Sequence, residues 1–384
     1  MGKLERCYSI DDLRRKARKA IPGVIFDYIE GGAEDEITIR RNRESFADYE
    51  FVPRVLRNVA NIDLSATIQG VECSMPLFCA PTGMNRLFHH EGEPAVARAA
   101  REANVPYVLS TVATTSIEDI AARAGGSLFF QVYIWHDREL VGEFIRRCRS
   151  CAYRGIILAV DLAAFGNRER DLRNGHGRPV ELRIKTALSG LTRVRWALRY
   201  ATSPRPVMAN MAAHLPHGGD MEKTLDTVNG QFDPSVTWDD VKRLRDTWKG
   251  SFILKGIQCV EDAVRAVKMG ATGIVLSNHG GRQLDGAPPA MDLLPEVMAA
   301  AGKKTEIIID GGVRRGADVI KALALGATGC MIGRPYLYGL AAGGERGVTR
   351  ALDIFRSEME RVMKLIGCDS VRKLNPGYVR RIRG

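Results

Sequence analysis

The sequence predicts an α/β protein: a TIM (β/α)8 barrel with an N-terminal helical segment and a long insertion after strand 4. Three observations predict it. Beyond Met75, eight short apolar runs alternate with amphipathic helical patterns. Those runs are continuously apolar, as parallel strands covered on both faces must be. The 39 glycines among 384 residues suit the many tight turns that such alternation requires.

Taken in order, the chain opens with a mixed polar and apolar helical segment, Tyr8 to Phe51, expected to pack across one end of the barrel. The strands are read at Leu77 to Ala80, Val108 to Thr111, Leu128 to Tyr133, Ile156 to Asp161, Phe252 to Lys255, Gly273 to Asn278, Glu306 to Asp310 and Gly329 to Ile332. Helices are expected at Pro94 to Glu102, Ser116 to Arg123 with Ser116 and Asp119 spaced as a capping box, Asp137 to Tyr153, Val260 to Lys268, Ala317 to Leu325 and Glu345 to Ile366. The stretch 165–237, between the fourth and fifth strands, is far longer than an ordinary connection and reads as a lid or an interaction surface. The whole chain, 1–384, is expected to be one barrel domain carrying that insertion.

Hydrophobic content of 45% argues for a large core and against disorder. No run of about 18 apolar residues is present to span a bilayer. Eight scattered cysteines and the lack of an opening signal peptide suggest reduced thiols in a cytoplasmic protein. Cys148 and Cys151 form a C-x-x-C inside a helical pattern, which favours packing thiols over a redox pair. The net charge of +11 is concentrated. Between Arg178 and Arg205 lie Arg178, Arg183, Lys185, Arg193, Arg195, Arg199 and Arg205 against Glu181 alone. Interleaved with Leu188, Leu191, Val194, Trp196, Ala197, Leu198 and Tyr200, these cations suit an anionic membrane surface. Their confinement to one insertion speaks against nucleic-acid binding.

A barrel of this kind builds its site from the C-terminal ends of its strands. There the sequence places Thr82 and Gly83, Ser110, Gln131 and Tyr133, Asp161 and Arg168, Lys255, Ser277, His279 and Arg282, Asp310, Gly312 and Arg314, and finally Gly333 and Arg334. His279 can take a proton near neutral pH and Arg282 can fork onto a carboxylate. The pair suits a substrate with an acid group beside an ionisable C–H or O–H. Glycines with Arg314 and Arg334 after the last two strands outline a phosphate site. No G-x-G-x-x-G follows a strand, so that phosphate belongs to a mononucleotide rather than to a Rossmann-bound dinucleotide. Lys255, in this company, suits a negative charge developing on a cofactor ring better than a Schiff base.

Ser277-Asn278-His279-Gly280-Gly281-Arg282-Gln283-Leu284-Asp285 and Asp310-Gly311-Gly312-Val313-Arg314-Arg315-Gly316, with Phe26-Asp27-Tyr28 before Gly31-Gly32-Ala33-Glu34-Asp35-Glu36, resemble the FMN-dependent 2-hydroxy acid dehydrogenase/oxidase family. Mandelate and L-lactate dehydrogenases belong to it, and the similarity runs from about Ser9 to Pro376. The resemblance implies FMN as cofactor, no catalytic metal, and oxidation of an L-2-hydroxy acid to the 2-oxo acid. It makes His279 the base, Asp161 its carboxylate partner, and Lys255 the neutraliser of reduced flavin. Arg168 and Arg282 become carboxylate clamps, with Tyr28 a further contact and Tyr133 near the substrate hydroxyl. Thr82, Gly83, Ser110, Gln131 and Ser277 become flavin contacts, and Asp310, Gly312, Arg314, Gly333 and Arg334 the ribityl and phosphate site.

The pattern departs in places. Ala159 stands where a threonine is frequent, Val112 where glycolate oxidases carry tryptophan, and Ile29 where some members have a second tyrosine. Gly83 resembles the dehydrogenases, many oxidases having alanine there. The insertion resembles the segment that ties some members to the membrane. The resemblance therefore implies a homotetramer passing electrons to a quinone or similar acceptor, peripheral on the cytoplasmic face of the inner membrane. The alternative is an oxidase that makes hydrogen peroxide.

Overall fold

The computed structural model describes residues 4–175, 190, 192–214, 228 and 230–382. Eight strands close into a parallel barrel: β1 (Leu77–Cys79), β2 (Tyr107–Ser110), β3 (Leu128–Val132), β4 (Gly155–Ala159), β5 (Ser251–Ile257), β6 (Gly273–Leu276), β7 (Glu306–Ile309) and β8 (Gly329–Ile332). The closing seam is β8 against β1, with Cys330 opposite Leu77 and Ile332 opposite Cys79. All eight expected strands are present, each within a residue or two of its expected bounds.

Alternation within each strand sorts the core. Phe78, Val108, Phe129, Ile157, Ile253, Val275, Ile308 and Met331, one from each strand, fill the interior, and all are buried. Their neighbours in sequence point out to the helices. A hairpin of Ala66–Ile68 and Val71–Cys73 plugs the N-terminal end, its Ile68 and Cys73 packed on that interior cluster.

Several expectations need correction. The N-terminal segment is three helices, Ile10–Ala20, Gly23–Glu30 and Ile37–Glu44, but Tyr49–Phe51 is a strand paired antiparallel with Val379–Arg381. Lys255 does not end β5. The strand continues to Ile257 through an irregularity at Gly256, whose φ is +106°. A Cβ on Gly256 would stand 2.7 Å from that of Asp161, so glycine permits the loop after β4 to lie against β5. Ser116 accepts from the amide of Asp119 at 3.0 Å, one half of the expected capping box. The last helix starts at Arg334, directly after β8, and breaks at Gly343 and Gly344 before running to Leu365.

Cys148 and Cys151 are free thiols, and burial pushes both up, which makes them poor nucleophiles. Among the described residues no helix is long and apolar enough to cross a membrane. Arg178, Glu181, Arg183, Lys185, Leu188 and Leu191 of the expected membrane segment lie outside the described residues. The described part of 165–237 is anchored at both ends. Asn210, buried, accepts from the amide of Ile117 at 2.9 Å, and Phe232 bridges Trp135. Helix Val194–Thr202 leaves Val194 and Leu198 exposed, whereas Trp196 faces the body of the protein and donates from Nε1 to the Leu87 carbonyl at 3.0 Å.

Candidate active site

A cavity of about 610 Å³ opens at the C-terminal ends of the strands and gathers Tyr28, Thr82, Gly83, Ser110, Tyr133, Arg168, Lys255, His279, Arg282, Asp310, Gly312, Arg314, Gly333 and Arg334. A larger hollow, about 1270 Å³, lies between the first helix, the insertion and the last helix, beside Lys16, Arg193 and Glu345. It contains none of the strand-end residues, so the chemistry is placed in the smaller cavity.

His279 follows β6 in a left-handed conformation (φ +56°), as do Gly280 and Gly281 after it. Non-glycine residues hold that conformation at a cost, and such strain concentrates at functional sites. The turn is held by Ser277 Oγ, which accepts from the His279 amide at 3.1 Å. It is also held by a reciprocal amide pair, Asn42 to Asn278 at 2.8 Å and Asn278 to Asn42 at 2.7 Å. The imidazole Nδ1 lies 3.1 Å from both carboxylate oxygens of Asp161. That contact fixes the ring so that Nε2 is the nitrogen left for chemistry. Burial pulls the His279 pKa below its ordinary value, Asp161 opposing but not cancelling it. Burial works to raise the Asp161 carboxyl, yet His279 and Lys255 together hold it below the usual range. The pair is therefore a neutral imidazole beside a carboxylate, the state a general base requires.

Lys255 is buried, with Nζ 2.8 Å from Asp310 Oδ2 and donating to Ser277 Oγ at 2.8 Å. Burial alone would neutralise it. Asp310 and Asp161 more than offset that, and the ammonium is held above its ordinary pKa.

Arg282 and Arg168 lie side by side. Arg282 donates from one nitrogen to the carbonyls of Tyr28 at 2.8 Å and Gly31 at 2.9 Å, and its guanidinium stacks 4.9 Å from the Tyr28 ring centre. Arg334 donates to the carbonyls of Ile29, Gly280 and Gly31 at 2.8, 2.8 and 2.9 Å. Two arginines thus satisfy the open carbonyl end of helix Gly23–Glu30 and hold Tyr28 over the cavity. Arg168 donates to the Arg282 carbonyl at 3.2 Å and to Gln283 Oε1 at 3.2 Å. Burial, and then the like charge of Arg282, pulls its pKa down to about 10, and Arg334 is lowered to about 10 in the same way. Both stay charged at neutral pH. Arg282 reaches Asp171 only at 3.8 Å, so the cluster carries a local excess of positive charge suited to an anion. Replacing Arg282 by lysine keeps the charge but removes the fork that also holds the Tyr28 and Gly31 carbonyls. We expect kcat/KM for a 2-hydroxy acid to fall about 10- to 100-fold with FMN content unchanged, as steady-state kinetics and flavin absorbance would show.

The residues present fit FMN. Gln131 Nε2, Asp310 Oδ1 and Arg314 NH1 are buried polar atoms that find no hydrogen-bond partner among the described residues, and Asp310 and Arg314 line this cavity. Buried polar atoms left open in this way ask for a ligand. Gly312 (φ +82°) lies so close to the helix Ile37–Glu44 that a Cβ would stand 1.8 Å from the Asn42 carbonyl oxygen. The helix that follows Gly333 begins at this rim, where its free amides suit a phosphate. Gln131 Oε1 accepts from Ser110 at 3.0 Å, and the Thr82 hydroxyl lies 2.6 Å from that of Tyr336. At Gly83 a methyl group would meet a Val112 methyl at 2.6 Å, so alanine there would require the Val112 side chain to shift. Tyr133 is buried, which keeps its phenol protonated.

Four supporting residues were missed by the sequence reading. Asn42, Asp285, Gln283 and Gly256 touch the site through its scaffold. Asp285 accepts from the amides of Ile37 and Thr38 at 3.1 and 2.7 Å and so caps the helix that carries Asn42. Gln283 donates to the carbonyls of Asp161 and Ala164 at 3.2 and 2.7 Å. Asp285 and Gln283 stand in the recognised motif itself, a signal that could have found them.

The model of the FMN-dependent dehydrogenase family matches residues 17–381. A Mycobacterium tuberculosis protein provisionally named L-lactate dehydrogenase is 43% identical over 99% of this chain and 91% of its own length. (S)-mandelate dehydrogenase of Pseudomonas putida is 39% identical over 98% of this chain and 94% of its own. The crystal structure of the monotopic membrane protein (S)-mandelate dehydrogenase superposes with a TM-score of 0.94 at 38% identity, covering 98% of this chain and all of that one. With a barrel-end cavity whose open polar atoms suit a flavin nucleotide and a match over nearly its whole length, the chain belongs to the FMN-dependent dehydrogenase family.

Proposed function

We propose that this FMN-dependent 2-hydroxy acid dehydrogenase acts on an L-2-hydroxy acid with an apolar side chain, uses His279 as its base, and delivers electrons to a quinone-like acceptor at a membrane surface. The observation that carries the reading is that His279, backed by Asp161, lines one cavity together with Arg168 and Arg282.

FMN, when bound, supplies the two-electron acceptor. The chain does the rest. Arg282 and Arg168 bind the substrate carboxylate and fix its orientation, and Tyr28 closes over them. Conversion of the hydroxy acid to the 2-oxo acid removes two electrons and two protons, one each from the α-carbon and the hydroxyl. His279 Nε2 accepts one of these protons, and Asp161 stabilises the resulting imidazolium. Lys255 supplies positive charge at the cavity wall, held ready by Asp310 and costing no reorganisation at the moment of reaction. The same cavity also has apolar lining, Leu162, Met208, Val228 and Phe232, with Phe165 stacked under the Arg168 guanidinium at 5.3 Å. Such a lining favours a side chain larger than a hydrogen.

Gly83 supports a dehydrogenase over an oxidase, the form in which many members that reduce oxygen carry alanine. Peroxide formed in air in step with the 2-oxo acid would overturn that choice.

The membrane reading rests on exposed Val194 and Leu198, one helical turn apart, beside exposed Arg195 and Arg205. Because Trp196 is turned inward, the salt-resistant part of binding falls to Val194, Leu198 and half-exposed Tyr200. Each cation near an anionic surface contributes on the order of 1 kcal/mol, screened within about 10 Å at 0.1 M salt. The protein should co-sediment with anionic vesicles at low salt and dissociate steeply as salt is added. If it ignores such vesicles at low salt, the insertion is not a membrane segment.

A further inference from the structure

Behind the apolar wall of the substrate cavity lies a second hollow of about 220 Å³. Tyr133, Leu162 and Phe232 line both spaces, so a single layer of side chains divides them. That layer is lightly built. Leu162 stands in the loop just after Asp161, outside any strand or helix. Phe232 is held by one backbone bridge to Trp135 and by ring edges, 5.1 Å from Tyr133 and 5.0 Å from Phe165 between centres.

Beyond the divide Ala159, Val236, Trp238 and Ile257 form an apolar stretch of wall, and Asp233, Thr237 and Asp262 stand at its polar side. Asp233, which also borders it, is committed to Arg138 at 2.5 Å and Ser235 at 2.6 Å. Ala159 ends β4, and its methyl group leaves open what a larger side chain there would fill.

We propose that this hollow is the distal part of the substrate side-chain site, and that the chain takes 2-hydroxy acids with extended apolar tails that pass between Leu162 and Phe232. The proposal rests on reading the larger cavity as a 2-hydroxy acid site. With the carboxylate fixed at Arg168 and Arg282 and the hydroxyl at His279, a short side chain ends at the divide. A long one crosses it and buries its outer carbons against Val236 and Trp238.

The test uses the flavin-loaded enzyme and the series L-lactate, 2-hydroxybutyrate, 2-hydroxyhexanoate and 2-hydroxyoctanoate. Each buried methylene is worth about fourfold in kcat/KM. The octanoate, with four more methylenes, should therefore exceed the butyrate by up to about 250-fold if all four are buried, and by about 16-fold if only the outer two are. Val236→Phe fills the hollow away from the reacting groups, and should abolish that gain while L-lactate turnover is retained. As an independent readout, 2-oxooctanoate but not pyruvate should change the fluorescence of Trp238, a response absent in Trp238→Phe. A profile that is flat or falling with chain length, with L-lactate oxidised normally, overturns the proposal and leaves the substrate reading standing. A rising profile that survives Val236→Phe, with no Trp238 response, also overturns it. Failure to oxidise any member with flavin bound overturns both.

Discussion

Replacing His279 by alanine should leave a yellow, flavin-loaded protein that substrate reduces about 10² to 10⁴ times more slowly, the range of a positioned general base. His279 stands in a left-handed turn. Ser277, Asn278 and Asn42 hold the backbone there, and among the described residues the imidazole bonds to Asp161 alone, 3.1 Å away. Truncation therefore removes the base without removing what shapes the cavity. FMN contacts proposed at Gln131, Asp310 and Arg314 lie elsewhere and should persist. The pH profile supplies a second check. Burial depresses the His279 pKa, so in the wild type the acid limb of kcat/KM should fall below the ordinary histidine value near 6.5, the base being lost only as pH drops through that lowered value. Stopped-flow flavin reduction measures both effects. Near-normal reduction of the alanine variant would remove His279 from the mechanism.

Lys255→Met should be the most damaging change to the flavin site itself. Lys255 is buried, and removing it leaves Asp310 without the cation that compensates it, a defect worth about 3 to 5 kcal/mol when one partner of a buried pair is deleted. Asp161 loses a neighbouring positive charge as well, so the balance that keeps the His279–Asp161 pair in its working state is weakened. Loss of a preorganised charge that stabilises a transition state typically costs 10² to 10³ in rate. We expect weaker FMN retention, a lower flavin reduction potential and reduction slowed by about that range. Equilibrium redox titration separates the electrostatic role from mere instability. An unchanged potential in a folded, flavin-loaded variant would show that Lys255 is not the charge facing the cofactor.

Much of this arrangement was legible because barrel strands are short, apolar and bounded by polar residues at one end. The eight runs located the cavity mouth, and the His279 and Arg282 spacing marked the turn that carries the proposed base and the proposed carboxylate ligand. What escaped depends on long-range geometry. The Asn42–Asn278 pair joins residues 236 positions apart, and nothing in the local pattern of either end signals the other. The continuation of β5 past Lys255 depends on the close approach of Asp161 to Gly256, a contact between neighbouring strands. Arg334 was read only as a phosphate ligand, yet three of its donors meet carbonyls around the end of helix Gly23–Glu30 and the His279 turn. Trp196 looked suited to lipid by composition, and its place on the helix turns it toward Leu87. Helix Ala290–Ala301 escaped because Pro295 interrupts an otherwise plain pattern.

The central claim is that one cavity oxidises an L-2-hydroxy acid through His279 and bound FMN. Anaerobic mixing of the flavin-loaded protein with glycolate, L-lactate and L-mandelate tests it most directly. Bleaching of the flavin by one or more of them, with one 2-oxo acid formed per flavin and apolar side chains preferred over glycolate, is the expected result. A fully flavin-loaded protein that none of the three bleaches would contradict it.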